Sequence, residues 1–325
     1  MIKVDVVYGL AGAMLAAIAF ASALDARNRR RWGNAAFWGL FAASFLAGRW
    51  LGDLGNGVLV LAMVAIGGLG LMGHGSPETT TAAEREAGAL RWGSRLFLPV
   101  LAVPLTALAG TLAFGGVKLG GLDLPPLVWA GQAIVDPKQA TVISTAAGVL
   151  IALAIVMAML RPPASAPVQE ARRLMDSIGS VAILPQLLAA LGAVFVLAGV
   201  GDAVGTVIAR FLPTGSHFAV VATYCVGMWL FTMIMGNAFA AFPVLTAGVG
   251  VPLIVRQFGG DPAAMGAIGM LAGFCGTLMT PMASHNIVPT ALLELPPGEV
   301  IRAQTPTALM VLLGNILLMY FLVFR

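Results

Sequence analysis

"FTMIMGNAFAAFPVLTAG", residues 231–248, is apolar on both sides of Gly236-Asn237 and meets a proline at Pro243. A run this greasy suits a bilayer, yet glycine frees the backbone, asparagine is costly in hydrocarbon, and proline removes a helical hydrogen bond. The stretch reads as an interrupted membrane segment. Its flanks extend the apolar runs to 217–235 and 238–256, either two spans or one span followed by a re-entrant segment.

The rest of the chain has the same character. It has 325 residues, 59% hydrophobic and only 10% charged, with a mean hydropathy of +0.94, too apolar to present a polar surface to water. Runs long enough to cross about 30 Å of hydrocarbon recur near 4–24, 35–52, 57–73, 96–114, 141–160, 180–200, 217–235, 238–256, 262–279 and 306–324. The expected fold is all-α: a polytopic membrane protein with about 9–10 transmembrane helices, broken or re-entrant in the C-terminal half.

Basic residues report orientation. Arg27, Arg29, Arg30 and Arg31 follow the first span, Arg85, Arg91 and Arg95 the third, and Arg161, Arg172 and Arg173 the fifth, whereas the intervening loops offer little beyond Lys118 and Lys138. These loops are expected on the cytoplasmic side of a bacterial inner membrane, with the N-terminus outside. The basic residues form no aromatic-interleaved patch, so nucleic acid is not an expected partner. Although "AFASALDA" (19–26) offers a small-residue cleavage pattern, the positive cluster follows the apolar run, and the first span is expected to be retained. Cys225 and Cys275 lie inside apolar runs with no CxxC spacing, so no metal site is expected and both read as packing residues.

Three segments organise the chain: helices in 1–160, a linker with an interfacial helix in 161–180 ("RPPASAPVQEARRLMDSIGS"), and a second membrane half in 181–325. Thr81 and Glu84 have capping-box spacing, which predicts a short helix before the fourth span. The Gly- and Pro-rich stretch 115–140 reads as a long external loop with Trp129 at the interface.

A second interruption follows at "GTLMTPMASHNIVPTALL", residues 276–293. Like the first, it pairs glycine with a polar residue (Gly276, Thr277) and has a proline just downstream (Pro281). In hydrocarbon a loose backbone group costs several kcal/mol, so such breaks persist only where protein, water or a ligand satisfies them. Half-helix N-termini then face anions, and unwound carbonyls with Asn, Ser and Thr oxygens face cations. The candidate substrate- or ion-binding residues are Gly236, Asn237, Gly276, Thr277, Thr280, Ser284, His285 and Asn286. Pro243, Pro281, Pro289 and, in "ILPQLL" (183–188), Pro185 are the expected helix breaks. No acidic residue and no Arg or Lys falls at mid-span, so neutral donors and helix termini would have to hold a charged substrate.

The stretches "MGNAFAAFPVLTAGVGVPLI", "GAIGMLAGFCGTLMTPMASHNIVPTALLEL" and "AQTPTALMVLLGNI" resemble a family of bacterial integral membrane proteins long labelled a domain of unknown function. Its members are described as the larger of two unlike subunits of a 5-oxoproline (pyroglutamate) transporter, related to the ion-transporter superfamily. The resemblance is specific over roughly 217–320. It implies paired hairpins and interrupted helices at the substrate site, with coupling to Na+ or H+ and no other cofactor. Where that superfamily carries Ser-Asn-Thr, this chain has Gly236-Asn237-Ala238.

The expected function is thus a secondary active transporter subunit moving a small carboxylate, 5-oxoproline by resemblance, by alternating access. Both clear breaks lie in one half, so a smaller unlike subunit or a second copy is expected to complete the site. Alternatives are a non-transporting scaffold subunit, a passive channel, or a carrier of another small organic anion. With no HExxH or GxSxG, an enzyme is not expected.

Overall fold

The computed structural model describes residues 1–73, 75, 80–116, 118–119, 122–129, 131–211, 216–292, 295–296 and 298–324. The chain is an all-α polytopic membrane protein. Among the described residues, nine helical stretches are long and apolar enough to cross a bilayer, and exposed Leu, Val and Phe side chains such as Phe20, Leu61, Leu105 and Leu313 give those helices their lipid-facing surfaces. Two compact units divide the chain, Met1–Ser180 and Val181–Arg325.

The first unit opens with α1 (Asp5–Ala23) and α2 (Arg31–Gly68). At 38 residues α2 would be about 57 Å long, far thicker than a bilayer. Gly52 resolves the mismatch with φ of 62° and ψ of −175°, a conformation open to glycine alone. The amide of Asn56 donates to the carbonyls of Gly48 (2.8 Å) and Gly52 (2.9 Å), and a Cβ on Gly33 would lie 2.0 Å from the carbonyl oxygen of Leu71. Gly48 and Asn56 are equidistant in sequence from Gly52, as are Gly33 and Leu71. The helix is therefore a tight antiparallel hairpin of two legs, 31–51 and 53–68, matching the separate spans read from the sequence.

Helix α3 (Ala82–Trp92) begins with the expected capping box: Thr81 Oγ1 accepts from the N–H of Glu84, and the Glu84 carboxylate accepts from the Thr81 N–H at 2.8 Å. The Thr81 N–H and hydroxyl, both donating to it, hold the Glu84 carboxyl below its ordinary value. Helices α4 (Phe97–Phe114) and α5 (Ala140–Leu160) pack antiparallel, with Gly110 facing Ser144 and Gly148 facing the backbone of Val103. Between them lie two short hairpins, β1 (Lys118–Leu119) with β2 (Leu122–Asp123) and β3 (Val128–Trp129) with β4 (Gln132–Ala133). Helix α6 (Ala166–Ile178) is amphipathic and packs against α1.

In the second unit, α7 (Leu184–Leu197) and α8 (Val200–Phe211) are joined at Gly199, φ 70°. Pro185 sits in the first turn of α7, where no intrahelical carbonyl awaits its missing N–H, so it opens a helix rather than breaking one. Next come α9 (His217–Met235), α10 (Ala238–Leu245), a π-helix (Thr246–Gln257), α11 (Pro262–Met279), α12 (Ser284–Leu292) and α13 (Glu299–Leu322). Glycines set the spacing. A Cβ at Gly205 would lie 2.5 Å from the Gly248 oxygen, so α8 meets the π-helix backbone to backbone. A core of Tyr224, Met228, Val249, Met265, Leu312 and Met319 fills the centre, with Cys225 and Cys275 buried in it as packing residues.

One consequence is measurable. A Cβ at Gly276 would lie 2.3 Å from the Trp229 oxygen, so Gly276→Ala must push α11 away from α9, at an expected cost of about 1–3 kcal/mol. Gly314, with nothing within 4 Å, is the control: Gly314→Ala is expected to leave stability unchanged or raised by up to about 1 kcal/mol. Thermal unfolding in detergent compares the two, and equal effects would refute the close α9–α11 approach.

Candidate functional site

The two interruptions flagged in the sequence lie against one another. Gly236, left-handed at φ 78°, ends α9, and its N–H donates to the Thr232 carbonyl at 2.8 Å. Asn237 then caps α10, its Oδ1 accepting from the Phe239 N–H at 2.7 Å. Two residues thus turn the chain between α9 and the continuous stretch Ala238–Gln257 formed by α10 and the π-helix, each long enough to span, so this interruption stands at the end of a crossing. On the other side, α11 ends at Thr280, whose backbone is extended, and Thr280 Oγ1 accepts from the Met282 N–H at 3.3 Å. A Cβ at Gly236 would stand 2.9 Å from Met282 Cβ, and one at Gly273 would stand 3.0 Å from Ala238 Cβ. The turns touch.

Asn286 organises the second turn. Its side-chain amide donates to three carbonyls at the end of α11: Thr277 (3.1 Å), Leu278 (3.1 Å) and Thr280 (2.8 Å). Those carbonyls would otherwise be orphaned at a buried helix end. With both N–H groups committed, the amide cannot flip, and Asn286 Oδ1 is left buried with no partner among the described residues. Thr232 Oγ1, 3.4 Å from the position of a Cβ at Gly273, is a second buried polar atom without one. Among the described residues, the buried polar side chains of this unit are all neutral: Thr232, Asn237, Thr277, Thr280, Asn286 and Asn315.

A family model described as "Protein of unknown function (DUF979)" matches residues 5–324. The chain belongs to that family. No curated protein and no solved structure matches it. In this DUF979 chain, then, Gly236, Asn237, Gly276, Thr277, Thr280 and Asn286 fall in or beside the paired turns. Thr277 Oγ1 faces its own helix, 3.5 Å from the Gly273 carbonyl. His285 is exposed on α12, and the side chain of Ser284 lies outside the described residues. Pro243 and Pro289 stand inside α10 and α12, and Pro281 in the turn between α11 and α12.

The DUF979 chain also holds a polar cluster that the sequence reading did not single out. In the first unit, Arg172 pairs with Asp25 and, at 3.5 Å, with Asp176, all three buried. Asp176 accepts further bonds from Asn34 Nδ2 (3.0 Å) and Trp38 Nε1 (3.3 Å). Asn34 in turn holds both backbone groups of Gly73. One clamp therefore ties α6, the α1–α2 loop and both ends of the α2 hairpin. The sequence held one clue: Arg172 and Asp176 are four apart and so share one face of α6.

Proposed function

We propose that this chain is the larger subunit of a secondary carrier for a small carboxylate, with 5-oxoproline the substrate suggested by family resemblance. One observation supports the reading most: two inter-helix turns packed together in an apolar unit, with Asn286 Oδ1 and Thr232 Oγ1 buried and without a partner among the described residues. A polar atom left so costs about 1–3 kcal/mol, and a transported ligand or ion would repay it. In this scheme the N-terminal turn of α10 and neighbouring hydroxyls receive the carboxylate, while Asn286 Oδ1 accepts from a ligand N–H. Coupling is to Na+ or H+, and a smaller unlike subunit or a second copy completes the site. The arginine distribution favours a bacterial inner membrane with the N-terminus outside.

The test is radiolabelled 5-oxoproline uptake into vesicles holding the chain with and without its partner, under imposed Na+ and H+ gradients. Asn237→Ala is expected to abolish uptake while leaving insertion intact. Because alanine also removes the α10 cap, worth about 1 kcal/mol, Asn237→Ser is the discriminating variant: it keeps a capping oxygen and lacks the amide. Restored stability without restored uptake supports a site role. Wild-type uptake in Asn237→Ala removes Asn237 from the site, and full transport by a demonstrably monomeric chain overturns the shared-site scheme.

A further inference from the structure

The first unit carries an open groove of about 610 Å³ where α1 ends. Phe20, Ala21 and Leu24 form its wall on the α1 side and Val168 adds to it from α6, so the groove begins at hydrocarbon depth and runs toward the membrane surface. Phe20 and Leu24 are 68% and 65% exposed, a waste of apolar area in water but suited to an acyl chain.

The far end is polar. Asp25 and Arg172 both line it, but each is already engaged: they pair with one another, and Asp25 Oδ1 also accepts from the Arg27 N–H at 3.1 Å. Arg27 is exposed and is the one lining charge without an ionic partner among the described residues. The neighbouring Arg29, Arg30 and Arg31 deepen the positive field. Gln169, from α6, adds a neutral polar side chain to this end of the groove.

We propose that this groove seats one phosphatidylglycerol-type phospholipid. An acyl chain lies along Phe20, Ala21 and Leu24, and the phosphate meets Arg27. The exposed charge at the polar end, Arg27, is positive, and the wall is apolar. A net-neutral zwitterionic headgroup satisfies only the second of these.

The test uses the full chain in detergent, titrated with dioleoylphosphatidylglycerol or dioleoylphosphatidylcholine while thermal unfolding is followed. Phosphatidylglycerol is expected to raise the melting temperature saturably and at lower concentration, with a preference that weakens as salt is added. Arg27→Gln, at a side chain with no partner of its own, is expected to keep the lipid-free melting temperature and lose about fivefold in apparent affinity for phosphatidylglycerol alone. Ala21→Leu, which fills the wall, is expected to weaken both lipids. Equal stabilisation by the two lipids, an intact preference in Arg27→Gln, or an unchanged midpoint in Ala21→Leu would each overturn the proposal. So would glycerol 3-phosphate acting as well as the lipid, which would make the groove a soluble-anion site.

Discussion

Arg172→Met is expected to cost about 3–5 kcal/mol, the loss seen when one partner of a buried ionic cluster is removed. The reason is arithmetic of charge in a closed place. One guanidinium serves two buried carboxylates, Asp25 and Asp176, and Asn34 and Trp38 supply neutral hydrogen bonds to the second. Without Arg172, two buried carboxylates lose the cation they share. The triple variant Arg172→Met, Asp25→Asn, Asp176→Asn is expected to recover most of the loss, since buried ionic clusters can often be replaced by neutral groups at little net cost. Unfolding of the purified chain in detergent, followed by tryptophan fluorescence, compares the two. A single variant as stable as the wild type would show that the clamp is not closed to water.

Asn286→Asp is the second large effect. The amide bonds to three carbonyl oxygens at distances of 2.8 to 3.1 Å. Aspartate has nearly the same shape, yet it offers no donors and sets a negative charge against three acceptors in a buried turn. A loss of several kcal/mol is expected, on the scale of an uncompensated buried charge. Asn286→Ala removes the donors without adding the charge, and about 1–3 kcal/mol is expected there. The order aspartate worse than alanine is the checkable result, measured by the same unfolding assay. The reverse order would mean that water already reaches those carbonyls.

Most helices were legible in the sequence because hydrocarbon thickness fixes their length. Apolar runs near 217–235, 238–256 and 262–279 correspond to α9, to α10 with its π-helical extension, and to α11. The capping residues at Thr81 and Glu84 were legible because the motif is local. Spacing along the chain also located the breaks at Gly236 and Pro281, but it could not show that they meet, since that contact depends on how α9 and α11 pack. Pro185 was misleading: a proline in an apolar run marks either a break or a beginning, and only the helix boundary distinguishes them. The charge clamp was invisible for a different reason. Asp25 and Asp176 lie far apart in sequence, and each looks like an ordinary loop or surface residue until α6 packs on α1.

The reversal at Gly52 also bears on how this hairpin can move. With a single non-helical residue between the legs, there is no connecting segment to let one slide past the other. A tilt or shift of one leg therefore carries the other with it, and Asn56, holding the bend shut from within, couples them.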